Sequence, residues 1–310
     1  MMIGMISYLP DDLNRNARWN TTKKTAENLL EIAGWINQPL HIAITNWSDL
    51  EIGQLADKNI VYHIISMEDR SPAVSRNRIL KLFYASNEDY LMLCDDDVCI
   101  YPYYGIKEFF IQLHTTPDIF IKEKLYRIGA LMANFLPFKE ENMKDLSFCD
   151  NWVFRLKGTV SGKCPQIYIN FKKHFNKEIY QREEIIRDLG LSCEDLFFDI
   201  DLIAHLGAVI YTCTAFIAGV RNTPSVFWKE PPKSDMEWEG QKSLNYLIQL
   251  YPKVRQTSRY LLDTSAYYPS SIKKRILVNR ITTYEFTEKD KVKKRGYKKQ
   301  YKGLLKNIKK

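Results

Sequence analysis

Residues 90–97 read Tyr-Leu-Met-Leu-Cys-Asp-Asp-Asp, an apolar run that ends abruptly in three consecutive aspartates. Because the first five residues are continuously apolar, they are expected to form a strand buried on both faces, as in a parallel sheet covered by helices. Neighbouring like charges repel, so Asp95, Asp96 and Asp97 need a cation or a hydrogen-bond network beside them. Open α/β sheets bind ligands at the carboxyl ends of their strands, which is where these aspartates stand. The stretch therefore predicts a buried strand and a ligand site directly after it.

The residues before this stretch alternate between strand and helix patterns. Short apolar runs predict strands, and apolar residues at three- and four-residue spacing predict helices. The resulting β-α-β-β-α-β order indicates an open, largely parallel sheet with helices packed on it. Strands are expected at 2–9, 40–45, 61–67 and 90–94, and helices after a cap at Thr21-Thr22 and at 72–85.

Weaker patterns extend this organisation through the rest of the chain. Gly207 follows one apolar periodic run at the position where a helix commonly ends. Strands are expected at 128–136, 166–171 and 208–218, and helices at 179–189, 196–206 and 246–250.

The aspartate triplet has the composition of a site for a hard divalent cation. Along an extended chain the first and third side chains point the same way, so Asp95 and Asp97 can engage one ion together. Oxygen ligands suit Mg²⁺ or Mn²⁺, and an ion held this way commonly bridges to diphosphate oxygens. Residues of this type in this pattern therefore point to phosphate-ester chemistry.

The segment before the strand carries a family resemblance. Residues 71–78 read Ser-Pro-Ala-Val-Ser-Arg-Asn-Arg and open a helix that precedes the strand ending in Asp-x-Asp. In this order the chain resembles the GT-A glycosyltransferases. The resemblance implies a GT-A-type, Rossmann-like open mixed sheet flanked by helices, acting on a UDP-sugar donor with Mn²⁺ or Mg²⁺. It also implies that Arg76 and Asn77 help to hold the donor, and a guanidinium is well matched to phosphate.

By the same resemblance, the end of the first strand lies beneath the nucleotide base, and the loops after the strands complete the donor site. The aspartate triplet would grip the cation and diphosphate, with Asp95 and Asp97 as the metal ligands. The further expected donor-binding residues are Tyr8, Pro10, Asp11, Asp12, Asp69 and Arg221.

Glu194-Asp195, before a predicted helix, resembles the Glu-Asp element that supplies the general base in inverting members of the family. A carboxylate can take the proton of the acceptor hydroxyl as that oxygen attacks the anomeric carbon. Asp195 is the first choice for this role and Glu194 the second. Acidic residues are also favoured at helix N-termini by capping and by the helix dipole, which is the structural alternative.

Charge divides the chain into unequal parts. The formal net charge is +8, but residues 272–310 carry 15 Lys/Arg and 3 Asp/Glu, so the body before them is mildly acidic. We expect a catalytic domain at 1–230, with a nucleotide-sugar half at 1–100 and an acceptor half at 101–230. A helical C-terminal part at 231–271 and a basic tail at 272–310 follow. A segregated basic tail is typical of proteins that bind nucleic acid or an anionic membrane surface.

The tail and a looser likeness favour DNA as the acceptor. The residues 2–12 and the stretch from the aspartate triplet to Tyr103 look like bacteriophage glycosyltransferases that modify hydroxymethylcytosine. DNA phosphates would bind Lys293, Lys294 and Arg295. Trp152 and Trp228 are candidates for stacking on a sugar or base of the acceptor.

Two alternatives remain open at this point. Tyr297, Tyr301, Leu304, Leu305 and Ile308 recur at helical spacing among lysines, which is typical of a basic amphipathic helix on a membrane, where a lipid-linked or cell-surface glycan would be the acceptor. The second alternative is a non-enzymatic nucleic-acid-binding protein, against which the acidic body argues.

Cysteine usage and hydropathy bear on location. The six cysteines form no Cys-x-x-Cys pair, so neither a disulfide framework nor a structural zinc site is indicated. No apolar run approaches the roughly 18 residues of a membrane span, and residues 1–9 look like a first strand and not a signal peptide. We expect a cytoplasmic protein, in the host cytoplasm if phage-encoded, with no obligate protein partner indicated.

Overall fold

The computed structural model describes residues 1–100, 106–115, 127–133, 155–156, 166–190, 194–206, 210–219, 242–243, 245–258, 261–263 and 277–278. The strands of the main sheet are β1 (Met2–Tyr8), β2 (Leu40–Thr45), β3 (Ile60–Ile65), β4 (Tyr90–Asp95), β5 (Val98–Ile100), β6 (Arg127–Ala133), β7 (Arg155–Leu156), β8 (Gln166–Ile169) and β9 (Ile210–Gly219). The helices are α1 (Arg15–Trp35), α2 (Asp49–Gln54), α3 (Pro72–Ala85), α4 (Ile106–Thr115), α5 (Phe171–Phe175), α6 (Glu183–Arg187) and α7 (Glu194–Leu206).

The main sheet is mixed, with the order β3-β2-β1-β4-β8-β6-β9-β5, and β7 pairs with β9. Strands β1 to β4 are parallel to one another. Strand β8 is antiparallel to both β4 and β6, and β9 is parallel to β6 and antiparallel to β5. The predicted α/β class with an open mixed sheet flanked by helices is confirmed. The narrower expectation of a largely parallel sheet holds for the first four strands only.

Apolar burial explains why the first four strands form the centre of the structure. Every residue of β1 from Met2 to Ser7 is buried, and so are the residues of β4 from Tyr90 to Cys94. Helix α1 packs on β1, β2 and β5, whereas α3 packs on β1, β2 and β3. Right-handed connections place these two helices on opposite faces of the sheet, because the chain moves from β1 toward the β3 edge and later returns to β4.

The start of the first helix differs from the prediction. Helix α1 begins at Arg15, so Thr21 and Thr22 lie inside it and do not cap it. The first turns lack an apolar periodicity because Arg15 and Arg18 face carboxylates and not the apolar core. Thr22 is fully buried and donates its hydroxyl to Asp96 (3.0 Å).

Two further elements were not predicted correctly. Helix α2 follows β2 and begins with a capping box, in which the Ser48 side chain and Glu51 satisfy each other's backbone N–H. The helix expected at 179–189 is reduced to α6, because the segment before it bonds to side chains of α3 instead. Asn77 pairs with both backbone groups of Gln181, and the Tyr84 hydroxyl donates to the Ile179 carbonyl (2.7 Å).

The part expected to be helical, 231–271, contains both helix and strand. Residues 245–250 are helical, and β10 (Arg255–Ser258), β11 (Leu261–Asp263) and β12 (Leu277–Val278) form a separate antiparallel sheet. In the described part of the chain, no helix combines the length and apolar character that crossing a bilayer requires.

At Gly4, β1 lies against a buried side chain of α3. A Cβ built there would lie 2.6 Å from Ile79 Cγ2 and 3.3 Å from Leu93 Cδ1, and both side chains are buried. Gly4→Ala is expected to lower the free energy of unfolding by about 1–3 kcal/mol, because inserting atoms into a packed core forces its neighbours to move.

The measurement is urea denaturation of Gly4→Ala beside the control Gly34→Ala. A Cβ at Gly34 in α1 would have no neighbouring atom within 4 Å. We expect Gly34→Ala to be neutral or stabilising by up to about 1 kcal/mol, since alanine favours helix interiors. Equal denaturation midpoints for the two variants would contradict the proposed close packing of β1 on α3.

Candidate functional site

The site is built where the carboxyl ends of β1 and β4 meet. These strands are neighbours, and their register aligns Ile6 with Asp95. The aspartate triplet therefore begins at the last residue of β4 and continues into the turn before β5, beside the loop that connects β1 to α1. The three side chains differ in exposure: those of Asp95 and Asp97 are 26% and 27% exposed, and that of Asp96 is 3% exposed.

Asp96 points into the protein and is surrounded by donors. Its Oδ2 accepts from the hydroxyls of Ser7 (2.6 Å) and Thr22 (3.0 Å), and its Oδ1 contacts Arg18 Nη2. The indole N–H of Trp47 donates to the Ser7 hydroxyl (3.1 Å) and fixes its orientation. A buried charge is tolerated only when it is paired and hydrogen-bonded, and Asp96 meets this condition through β1 and α1. Of the predicted donor-binding triplet, Asp96 is thus the member that is engaged inside the protein.

Arg76 connects the triplet to a distant part of the chain. Helix α3 begins with Ser71 capping Val74 N (3.1 Å) and Pro72 in the first turn, which directs Arg76 toward the end of β4. Its Nη2 donates to Asp95 Oδ1 (2.9 Å), and its Nη1 donates to Glu194 Oε1 (2.7 Å) at the start of α7. The guanidinium is 9% exposed, so both contacts are largely shielded from water. Three predicted site residues are thereby brought together.

Asn77 has a different surrounding from its neighbour. Its amide donates to Gln181 O (2.8 Å) and to Glu183 Oε1 (2.9 Å), and its Oδ1 accepts from Gln181 N (2.8 Å). The residue is 3% exposed. Asn77 therefore fastens the 179–183 segment to α3 and presents Gln181 to Arg76, whose Nη1 also donates to Gln181 Oε1 (3.3 Å).

The donor set fits a hard divalent cation. Among the described residues, Asp95, Asp96, Asp97 and Glu194 surround the two guanidiniums of Arg18 and Arg76, a formal balance of −2. The outward carboxylates of Asp95 and Asp97 supply oxygen atoms, the ligand type that Mg²⁺ and Mn²⁺ prefer. Within the described residues no three His, Cys, Asp or Glu side chains converge as a metal site. From this part of the chain, the protein therefore offers two carboxylates to a cation.

The loop after β1 is held by Arg15, which the sequence did not single out. Arg15 donates to both oxygens of Glu51 (2.9 and 2.6 Å), to Asp11 Oδ1 (3.2 Å) and to the Asn46 carbonyl (2.8 Å). Pro10 is buried, and its carbonyl accepts from the same guanidinium (3.3 Å). The loop next to the triplet is thus ordered by one arginine.

The acidic residues proposed for the base pocket lie at the edge of the site. Asp11 also accepts from Asn46 Nδ2 (2.8 Å), and Asp12 accepts from Asn14 N (2.8 Å). Asp69 is exposed and accepts from the Ser66 hydroxyl (2.8 Å). The neighbouring Arg70 guanidinium stands 6.0 Å from the centroid of the Tyr8 ring. Tyr8 and Arg70 therefore border the same face of the carboxyl edge as the triplet.

Several predicted residues lie outside the described part of the structure. Asp195 is the second residue of α7, next to Glu194, but its side chain is not described. The same holds for the following residues: Trp152, Arg221, Trp228, Lys293, Lys294 and Arg295.

A cavity of about 310 Å³ lies near the first turns of α7. Tyr246 lines it and has its ring 5.9 Å from that of Phe197, three residues after Glu194. The other lining residues are Leu189, Lys242, Asn245 and Gln249. Lys242, Asn245, Tyr246 and Gln249 follow the spacing i, i+3, i+4, i+7 and so lie on one helical face. A face with this spacing usually packs against a core, but its side chains are polar here.

Sequence reasoning did not find the roles of five residues around the triplet. Ser7, Arg18 and Thr22 contact Asp96, Gln181 contacts Arg76, and Arg15 holds the neighbouring loop. One available signal was the spacing of Arg15 and Arg18, which places them on one side of a helix. Apolar residues are lacking on that side, and both arginines follow the acidic pair Asp11-Asp12. No comparable signal marks Ser7 or Gln181.

No protein-family model matches the chain. No curated protein sequence matches it either. Among solved structures, the galactosyltransferase LgtC in complex with donor and acceptor sugar analogues matches at 13% identity and a TM-score of 0.33, covering 61% of this chain and 64% of LgtC. The matched region therefore spans less than two thirds of the length of LgtC.

Two other similar structures are longer matches. One is described as a nucleotide-diphospho-sugar transferase from Desulfovibrio desulfuricans G20, with 11% identity, a TM-score of 0.39, and coverage of 81% of this chain and 97% of that one. The other is described as a glucose-1-phosphate thymidylyltransferase from Bacillus anthracis in complex with sucrose, with 7% identity, a TM-score of 0.41, and coverage of 84% and 98%. At identities of 13% or less and these TM-scores, the likenesses establish neither family nor activity.

The pairing of Arg15 with Glu51, beside the loop after β1, makes the stability of the protein depend on pH. Burial opposes the charged form of Glu51, but hydrogen bonds from Arg15 and Ser48 outweigh it and lower the pKa below its usual 4.5. A carboxylate whose folded pKa is lowered stabilises the fold above its unfolded pKa and loses this contribution as pH falls through the folded value. Glu51→Gln is therefore expected to cost about 2 kcal/mol at pH 7.

The measurement is thermal denaturation of wild type and Glu51→Gln between pH 3 and 7, and the difference should shrink below pH 4.5. The matched control is Glu31→Gln, at an exposed position of α1, which should track the wild type throughout. A difference that does not vary with pH would contradict the charged role of Glu51.

Proposed function

We propose that this protein is a metal-dependent glycosyltransferase that moves a sugar, a hexose or a pentose, from a UDP-sugar to a hydroxyl acceptor. The observation that carries the proposal is the contact of Arg76 with Asp95 and Glu194 at the carboxyl edge of the sheet, with the partly exposed Asp97 two residues after Asp95. Partly exposed carboxylates suit a divalent cation, and a shielded guanidinium suits the diphosphate of a sugar donor. Their net negative charge favours a cation together with its anionic ligand.

In this proposal Asp95 and Asp97 would hold Mn²⁺ or Mg²⁺. Such an ion would supply positive charge to offset the charge of the leaving diphosphate. The acceptor oxygen forms a bond to the anomeric carbon as the bond from that carbon to the diphosphate oxygen breaks, releasing UDP. Tyr8, Pro10, Asp11, Asp12 and Asp69 border the base end of the donor, and Arg221 is assigned to the diphosphate from sequence alone.

The structure supports a division of roles between the two adjacent acids. Glu194 is 12% exposed and its Oε1 accepts from Arg76 (2.7 Å), so we assign it to positioning Arg76. A carboxylate paired to a shielded guanidinium is held in its charged form and is a weak proton acceptor. The general base of an inverting reaction is therefore assigned to Asp195, the first choice from the sequence.

The acceptor is proposed to be a hydroxymethylated pyrimidine in phage DNA, such as 5-hydroxymethylcytosine or its glycosylated form. The excess of basic residues at 272–310, including Lys293, Lys294 and Arg295, supports a DNA partner through phosphate contacts. The cavity beside Tyr246 supports an acceptor site near the start of α7, because an aromatic ring and two amides suit a sugar or a base. Trp152 and Trp228 are kept as acceptor candidates on sequence grounds.

A lipid-linked or cell-surface glycan is the second candidate acceptor. The observation that favours it is the apolar spacing of Tyr297, Tyr301, Leu304, Leu305 and Ile308 among lysines in the tail.

The test of function is a transfer assay with a panel of UDP-sugars, Mn²⁺ or Mg²⁺, and hydroxymethylcytosine DNA beside unmodified DNA. We expect a mass increase of the modified DNA alone, which Asp97→Ala should abolish while its melting temperature stays near that of the wild type. Metal-dependent donor hydrolysis without DNA modification would support a glycan acceptor. Transfer by Asp97→Ala at the wild-type rate would contradict the metal role.

The roles of the two acids predict different kinetics. Asp195→Asn should lower kcat about 100-fold or more with little change in donor KM, because only proton transfer is lost. Glu194→Gln should mainly raise the donor KM, because it releases Arg76. Steady-state kinetics with varied donor concentration distinguishes them, and a raised donor KM for Asp195→Asn would reassign that carboxylate to donor binding.

A further inference from the structure

Arg18 is a largely buried cation in contact with the triplet. It lies in α1, its side chain is 13% exposed, and its Nη2 contacts Asp96 Oδ1. Its Nη1 stands 3.8 Å from Asp97 Oδ2. Among the described residues, its Nε is buried without a hydrogen-bond partner. One guanidinium is therefore shared between the inward aspartate and an outward one.

The position of Arg18 is fixed by the residues around Asp96. The opposite oxygen of this carboxylate accepts from Ser7 in β1 and Thr22 in α1, and Trp47 orients Ser7. Thr22 is one turn after Arg18 on the same helix. Because Asp96 is held from two elements, Arg18 cannot leave it without exposing a buried carboxylate, which is costly.

The charges acting on Arg18 come from the whole triplet. Burial lowers the pKa of Arg18, but the charges of Asp96, Asp97 and Asp95 outweigh this effect and raise the pKa above its usual value. An arginine side chain in a protein carries its positive charge in any case. Coulomb interactions persist over several ångströms where water is excluded, so this charge acts on any cation that reaches Asp97.

We propose that Arg18 is a positioning residue that holds Asp97 in place and weakens the binding of free divalent cation, so that the cation is retained only with the diphosphate. This inference rests on the proposed function. Its physical basis is that a fixed positive charge near a two-carboxylate site repels a lone cation. A diphosphate adds negative charge and oxygen ligands, and the same guanidinium then attracts the combined ligand.

The test measures Mn²⁺ affinity by electron paramagnetic resonance, without nucleotide and then with UDP. For Arg18→Met, we expect about tenfold tighter binding of Mn²⁺ alone and a smaller gain in affinity on adding UDP. Arg18→Lys, which keeps the charge, should behave like the wild type. The control is Arg15→Met on the same helix, where the lost arginine pairs with Glu51; its Mn²⁺ affinity should stay within about twofold of the wild type.

A second pair of variants avoids an unpaired buried carboxylate in case Arg18→Met does not fold. Asp96→Asn combined with Arg18→Met should bind Mn²⁺ more tightly than Asp96→Asn alone. Equal or weaker Mn²⁺ binding in both comparisons overturns the role of Arg18 but leaves the proposed function intact, provided that the wild type binds Mn²⁺ with UDP. If the wild type binds no Mn²⁺ even with UDP, the metal-dependent function itself is overturned together with this inference.

Discussion

The buried carboxylate of Asp96 constrains how β1, α1 and the end of β4 meet. A charge that is 3% exposed must be solvated by protein groups, and the structure provides two hydroxyls and one guanidinium from separate elements. Satisfying Asp96 places Ser7 at the end of β1 and turns the first half of α1 toward the sheet edge. The neighbours of Asp96 are more exposed: Asp95 ends β4, and Asp97 lies in the turn before β5. The site geometry thus follows from one buried acid.

Arg76 has the corresponding role on the other side of the triplet. By joining Asp95 to Glu194, it ties the parallel half of the sheet to α7, more than 100 residues later in the chain. Asn77, its neighbour, ties the 179–183 segment to the same helix through the backbone of Gln181. One turn of α3 therefore organises both the charge of the site and the path of the chain behind it.

Two arginines flank an outward pair of carboxylates, which leaves the site attractive to a cation but not strongly negative. The negative balance favours a cation, and the two guanidiniums are matched to the oxygens of an anionic ligand that accompanies it. The cavity beside Tyr246 lies near the helix that carries Glu194, so candidate donor and acceptor regions approach from different elements. Within the described residues, the charged groups of the site thus come mainly from the ends of β1 and β4 and from the helices α1 and α3.

The sequence by itself determined the order of the first four strands along the chain, the bounds of β2 and α3, and the position of the triplet at the end of β4. These features depend on local periodicity and on turn and cap residues, which a single segment expresses. Only the tertiary structure decided that Asp96 is internal and pairs with Arg18. It also decided that Asp95 pairs with Arg76 and that residues 179–182 are not helical. Each of these outcomes depends on contacts between residues tens to more than a hundred positions apart. The periodicity of a segment indicates whether it is buried, but not which distant charged side chain it contacts.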